Sequence, residues 1–197
     1  MRLTKTLPVA AALVASLGIS ACGRTDLGRS PSQVVVDVLE AASGAESDEF
    51  GGTLRSDVLT NGGIYDDLGR VRFRIVLRDA GTLTPTTPAE VNSVTFTRYR
   101  VVYVRSDGRN VQGVDVPYAF DSAMTLTVPA SGPATGIFEI VRHLAKMEAP
   151  LKALAGNPVI ISTIAEVTFF GKDLAGNDVV ASGTIGISFG NFADPEN

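Results

Sequence analysis

Arg70-Val71-Arg72-Phe73-Arg74-Ile75-Val76-Leu77-Arg78 is the stretch whose reading decides the fold. Val71, Phe73, Ile75 and Leu77 take alternate positions, and Arg70, Arg72, Arg74 and Arg78 lie on the opposite parity. Successive side chains of a strand point to opposite faces, so one face of this stretch packs and the other meets water. The same period of two returns near the end of the chain, where Val179, Ala181, Ile185, Ile187 and Phe189 alternate with Ser182, Thr184 and Ser188. Between the two lie residues 94–104, rich in Thr, Tyr, Phe and Val, then residues 123–128 and a long run over 159–172. Turn chemistry bounds each run, in Thr84-Pro85-Thr86-Thr87-Pro88, Ser106-Asp107-Gly108, Ser131-Gly132-Pro133, Gly156-Asn157-Pro158 and Ala175-Gly176-Asn177.

Several short strands separated by turns predict an all-β fold, an antiparallel β-sandwich with one short crossover helix. The helix belongs to the segment 137–154, read as a strand to about His143 and a short helix over 144–154, with Pro150 preventing one long helix. Ser30-Pro31-Ser32 has the make-up of a helix start, yet Val34, Val35, Val36, Val38 and Leu39 are mostly β-branched, so this stretch fits a short helix or a strand. Residues 43–52 carry Glu46, Asp48 and Glu49 among glycine and serine and read as a loop. The inward set is predicted to contain Phe73, Ile75, Val167, Phe169, Ile185 and Ile187.

Lys172-Asp173-Leu174-Ala175-Gly176-Asn177 is similar to the D-x-A-G-N turn that joins the last two strands of many bacterial immunoglobulin-like domains. The resemblance covers about 25 residues, from Glu166 to Phe189, and implies an immunoglobulin-like sandwich. It implies nothing about activity, because such sandwiches host many functions. The chain has no tryptophan and no cysteine pair, so the likeness is to the bacterial type rather than to antibody domains.

A second resemblance sits at the start. Arg2 and Lys5 precede an apolar stretch over 7–19, which Ser20 and Ala21 follow, as in a secretory signal. Ile19-Ser20-Ala21-Cys22 resembles the lipobox of bacterial lipoproteins, and Cys22 is the only cysteine in 197 residues. The resemblance implies that Cys22 is the lipidation site: diacylglycerol joins its sulfur, cleavage makes it residue one, and its amine is acylated. Two or more acyl chains hold a protein stably on a membrane, each buried CH₂ contributing about 0.8 kcal/mol. Gly23 replaces the aspartate that resembles an inner-membrane retention signal, which points to the outer membrane. The expected organisation is a signal peptide over 1–21, a lipid tether and N-terminal segment over 22–50, and the sandwich over 51–197.

Removal of residues 1–21 leaves 15 basic and 21 acidic residues, a net charge of −6. Nucleic acid is not an expected partner, since phosphate binding draws on clustered Lys and Arg in a basic domain. About 150 residues beyond the tether suffice for one core, which must rest on packing because a single cysteine closes no internal disulfide.

The catalytic motifs are absent. His143 is the sole histidine, too few for a zinc site, and it reads as a structural residue rather than the base of a triad. No glycine-rich phosphate loop follows a strand, so no cofactor is expected. Asp66-Asp67 and the acids over 46–49 read as solvated loop charge. Asp173, Asn177 and Asp178 share a loop and carry oxygen, but turn geometry accounts for the same letters and no metal is assigned. The surface feature left over is the stripe Arg70, Arg72, Arg74 and Arg78, with guanidinium groups about 6.6 Å apart along one face. Its partners are either Asp57 and Glu139 across the sheet or an anionic glycan or lipid head group of the envelope. The expected function is a lipid-anchored, non-enzymatic binding or structural module that engages another envelope component. A hydrolase would show two converging acids in a deep pocket, and a small-ligand binder an apolar cavity between the sheets.

Overall fold

A computed structural model describes residues 30–77 and 88–192. The signal segment, Cys22, Gly23, Arg78 and the turn at Thr84 to Thr87 lie outside the described residues. Among those described, the chain forms β1 (Ser32–Ala42), β2 (Thr53–Asp57), β3 (Asp67–Leu77), β4 (Val94–Val104), β5 (Phe120–Val128), β6 (Ala134–Val141), a four-residue helix α1 (His143–Lys146), β7 (Ile161–Asp173) and β8 (Asp178–Gly190). They build two sheets, of order β1-β3-β6 and β2-β8-β7-β4-β5. All pairings are antiparallel except β2 with β8. With β1, β3 and β6 as A, B and E, and β8, β7 and β4 as G, F and C, this is the strand order of an immunoglobulin-like sandwich.

The β-branched run at residues 34–38 settles as a strand, since β1 finds an antiparallel partner in β3 along its whole length. The sandwich therefore takes in residues that the sequence alone assigned to the N-terminal segment 22–50. At the other end of the ambiguity, β6 stops at Val141 and the crossover is broken: α1 makes one turn, and a 3-10 segment, Leu151–Gly156, follows Pro150. Proline lacks the N–H that would continue the helix.

The predicted inward residues are buried, with Phe73, Val167 and Phe169 wholly inaccessible. Phe73 of β3 stacks on Phe96 of β4 with ring centroids 4.7 Å apart, and the edge of Phe169 of β7 meets both Phe73 at 5.0 Å and Phe138 of β6 at 5.3 Å. Rings from both sheets thus interdigitate, and the buried Tyr103 hydroxyl of β4 donates across the layers to the Ile140 carbonyl of β6 at 2.7 Å. The close fit is paid for by glycine at Gly69, where an added Cβ would lie 2.5 Å from the Phe138 ring.

Candidate functional site

The arginine face is the outer surface of the three-stranded sheet. β3 runs between β1 and β6, so each arginine has a neighbour on either side. Arg70 stands opposite Glu40 of β1 and Ile137 of β6. Its Nε donates to Glu40 Oε2 at 2.9 Å, and its guanidinium lies 4.3 Å from the centre of the Phe50 ring. Arg74 Nε donates to Asp37 Oδ1 at 2.6 Å. Asp37 reaches that position because β1 carries one extra residue between Val36, opposite Phe73, and Val38, opposite Arg72. Arg72 has Val38 and Thr135 as neighbours and forms no ion pair among the described residues.

Asp57 and Glu139, the acids expected opposite the stripe, are not its partners. Asp57 belongs to β2 in the other sheet, where its carboxylate accepts from the N–H groups of Leu59 and Phe192 and the hydroxyl of Thr60, each at 3.2 Å. Glu139 is on β6 but stands opposite Leu68, one row beyond Arg70. The acids that do pair come from β1, the segment whose strand character the sequence left open. These pairs are solvent-exposed and contribute at most about 1 kcal/mol each.

The second concentration of charge is at the start of β3, where Asp66 and Asp67 are adjacent but not equivalent. Asp67 opens the strand with its side chain inward, and Lys146 at the end of α1 donates to its Oδ1 at 2.8 Å. Side-chain exposure is 1% for Lys146 and 0% for Asp67. The Ser56 hydroxyl donates to Asp67 Oδ2 at 2.6 Å and the Gly44 N–H to Oδ1 at 3.0 Å, so both oxygens of the buried carboxylate are hydrogen-bonded. Burial pushes the Asp67 carboxyl above its usual range, against the opposing pull of Lys146, Ser56 and Gly44. Reading Asp66-Asp67 as solvated loop charge is therefore corrected for Asp67. The signal was available in the parity: Asp67 stands on the same alternate positions as Val71 and Phe73, the face that packs inward.

Asp66 points outward. Its Oδ1 accepts from the backbone N–H of His143 and lies 2.8 Å from His143 Nδ1. Partial burial raises the Asp66 carboxyl, but the hydrogen bonds and charge of His143, with Lys146 behind it, outweigh that and hold it below its usual range. His143 stands at the first turn of α1 rather than on a strand, half exposed, with its ring tied to the structure. Together the Asp66–His143 and Asp67–Lys146 contacts pin the crossover to β3, and Ser56 extends the tie to β2.

The remaining acids are also engaged or dispersed. Asp173 accepts from the N–H and the side-chain amide of Asn177 at 2.8 and 2.9 Å, closing the turn that joins β7 to β8, with Gly176 at φ +87°. Burial works to raise Asp173, and these bonds, with those from Ser30 and Ala175, bring it below its usual range. Asp178 pairs with Lys172 at 2.6 Å. Glu46, Asp48 and Glu49 are exposed around a 3-10 turn, Gly44–Glu46. Among the described residues no three His, Cys, Asp or Glu side chains gather as metal ligands would.

Among the described residues, open clefts of about 260 and 340 Å³ lie on the arginine face at Arg72, and two more lie beyond it. One, of about 200 Å³, is lined by Ser43, Glu46, Arg55, Asp57, Thr60 and Phe192. The other, of about 420 Å³, lies between the edge strands β5 and β6, where Met124, Leu126 and Ile137 stand over Tyr99 and Phe138. The fold and its charges define a two-sheet β-sandwich whose ionic side chains chiefly tie its own strands together. No protein-family model matches the chain, and the curated proteins contain no match to it.

Proposed function

We propose that the chain is a cell-envelope lipoprotein, acylated at Cys22, that displays its β-sandwich as a non-enzymatic binding or structural module, with the outer membrane as its address. The observation that carries the reading is Ile19-Ser20-Ala21-Cys22 behind a basic start and an apolar stretch. A structural distance adds to it. Nine residues separate Cys22 from the first residue of β1, and extended chain of that length reaches at most about 35 Å. The sandwich would be held close to the membrane rather than presented on a long stalk. The module part is supported by the engagement of Asp66, Asp67 and Asp173 in turns and strand ties, which gives each acid a structural role.

The test is mass spectrometry of the mature N-terminus, together with fractionation of a Cys22→Ser variant. The expected results are a lipid-modified peptide beginning at Cys22, and a variant that stays unprocessed or leaves the membrane fraction. An unlipidated N-terminus at any other residue overturns the anchor.

A further inference from the structure

Four strands bound the two sheets, and three of them are made unsuitable for further pairing. β2 is only five residues long. β1 carries the bulge at Asp37, and the pairing of β5 slips where β4 passes from Phe96 to Arg98. Short strands, bulges and edge charges are the usual means of preventing association through a sheet edge. β6 differs. Its irregularity lies at the far end, at Ile140, and residues 134–139 pair with β3 in unbroken register while their other side faces the cleft beside β5. Ile137, in the middle of this stretch, is 60% exposed. Neither proline nor lysine guards it.

We propose that β6 is a homodimer interface, in which two copies pair antiparallel about a two-fold axis at Ile137 and join their three-stranded sheets into one of six strands. The occupant is selected by side-chain complementarity. Directly opposed residues in an antiparallel pair share a face, so the axis must pass through a residue rather than between two. An axis at Ile137 sets this exposed side chain against its own copy and places Thr135 opposite Glu139 of the second copy. Thr135 is also the β6 neighbour of Arg72. Arg72, Thr135 and Glu139 of the second copy then lie in one row, with the two charged residues two strand spacings apart, about 9.6 Å between Cα atoms. Both side chains are long enough to meet above the intervening threonine.

Arg72 and Glu139 are the charged residues of this face that form no ion pair among the described residues, whereas Arg70 and Arg74 are already held by Glu40 and Asp37. The two-fold repeats the contact, so one axis satisfies two arginines and two glutamates. An axis at Gly136 would instead set Thr135 against Ile137 and leave Glu139 beyond the regular pairing. The cation that the sequence offered to an anionic partner thus finds its carboxylate on another copy of the same chain. The inference does not depend on how the chain is anchored.

The experiment uses the mature chain as produced, in sedimentation and in oxidative cross-linking. An Ile137→Cys variant should form a disulfide between the two copies at residue 137, because opposed Cα atoms about 4.5 to 5.5 Å apart suit that bond. Peptide mapping separates this link from one to Cys22. Arg72→Glu and Glu139→Arg should each weaken self-association on the order of tenfold, and the double charge swap should restore it. Both positions are on the exposed face, and the parent and double variant should melt alike. A monomer with no 137-to-137 link overturns the dimer and leaves the edge to an extended segment of another protein. Self-association that persists unchanged in both single variants overturns this register.

Discussion

β3 carries charge in two settings a few residues apart. At its first residue Asp67 meets Lys146 in the interior, with both carboxylate oxygens accepting hydrogen bonds. On its outer face Arg70 and Arg74 meet Glu40 and Asp37 in contact with water. The chemistry of the pairs is the same and the consequence is not. Water solvates the separated partners of an exposed pair nearly as well as they solvate each other, so little is gained by the contact. A buried pair has no such alternative, and losing one partner leaves a charge in a medium that cannot screen it. The inner pair therefore locks the crossover after β6 onto β2 and β3, whereas the outer pairs dress a sheet already held by its backbone ladder.

The contrast breaks first at the inner pair. Lys146→Ala should destabilise the fold by about 3 to 5 kcal/mol in chemical denaturation, because Asp67 keeps its burial and loses its counter-charge. Replacing both partners, Asp67→Leu with Lys146→Met, should recover much of the loss, with the Ser56 hydroxyl and Gly44 N–H left as the residual cost. A Lys146→Ala change of less than 1 kcal/mol would mean that the interior accommodates the charge, and the contrast fails. Phe169→Ala supplies an uncharged comparison, with an expected loss of about 3 to 5 kcal/mol from the cavity left beside Phe73 and Phe138. If it melts with the parent, the rings do not join the sheets.

Smaller effects sharpen the same comparison. Arg74→Gln should cost no more than about 1 kcal/mol, and the cost should fade as salt is added, since exposed pairs are screened. A cost equal to that of Lys146→Ala would show the outer face to be as decisive as the interior. The last signal is in pH. The Asp67 carboxyl is raised in the folded state, so the native protein holds a proton that the unfolded chain has already released. Stability should fall as pH rises from about 4, the unfolded value, through the raised native value. Asp67→Asn should remove this slope in urea midpoints measured across that range. Asp66, held low, acts on the other side of pH 4 and with the opposite sign, losing its contribution as acid is added.

The all-β fold and the inward faces of β3, β7 and β8 were legible in the sequence because a period of two is local: each residue's face follows from its neighbours. The turn at Asp173 to Asn177 was legible for the same reason, being closed by its own side chains. The partners of the arginines were not. Pairing depends on which strand lies alongside and in which register, and residues 34–38 gave equal support to helix and strand until β3 offered them a ladder. The Asp67–Lys146 pair spans 79 residues and arises only when the crossover returns across the end of the sandwich. Local alternation is written into the chain, since it needs only adjacent residues. The choice of which distant charges meet, and whether water is present when they do, belongs to the tertiary structure, because burial and electrostatic worth are properties of the packed layers.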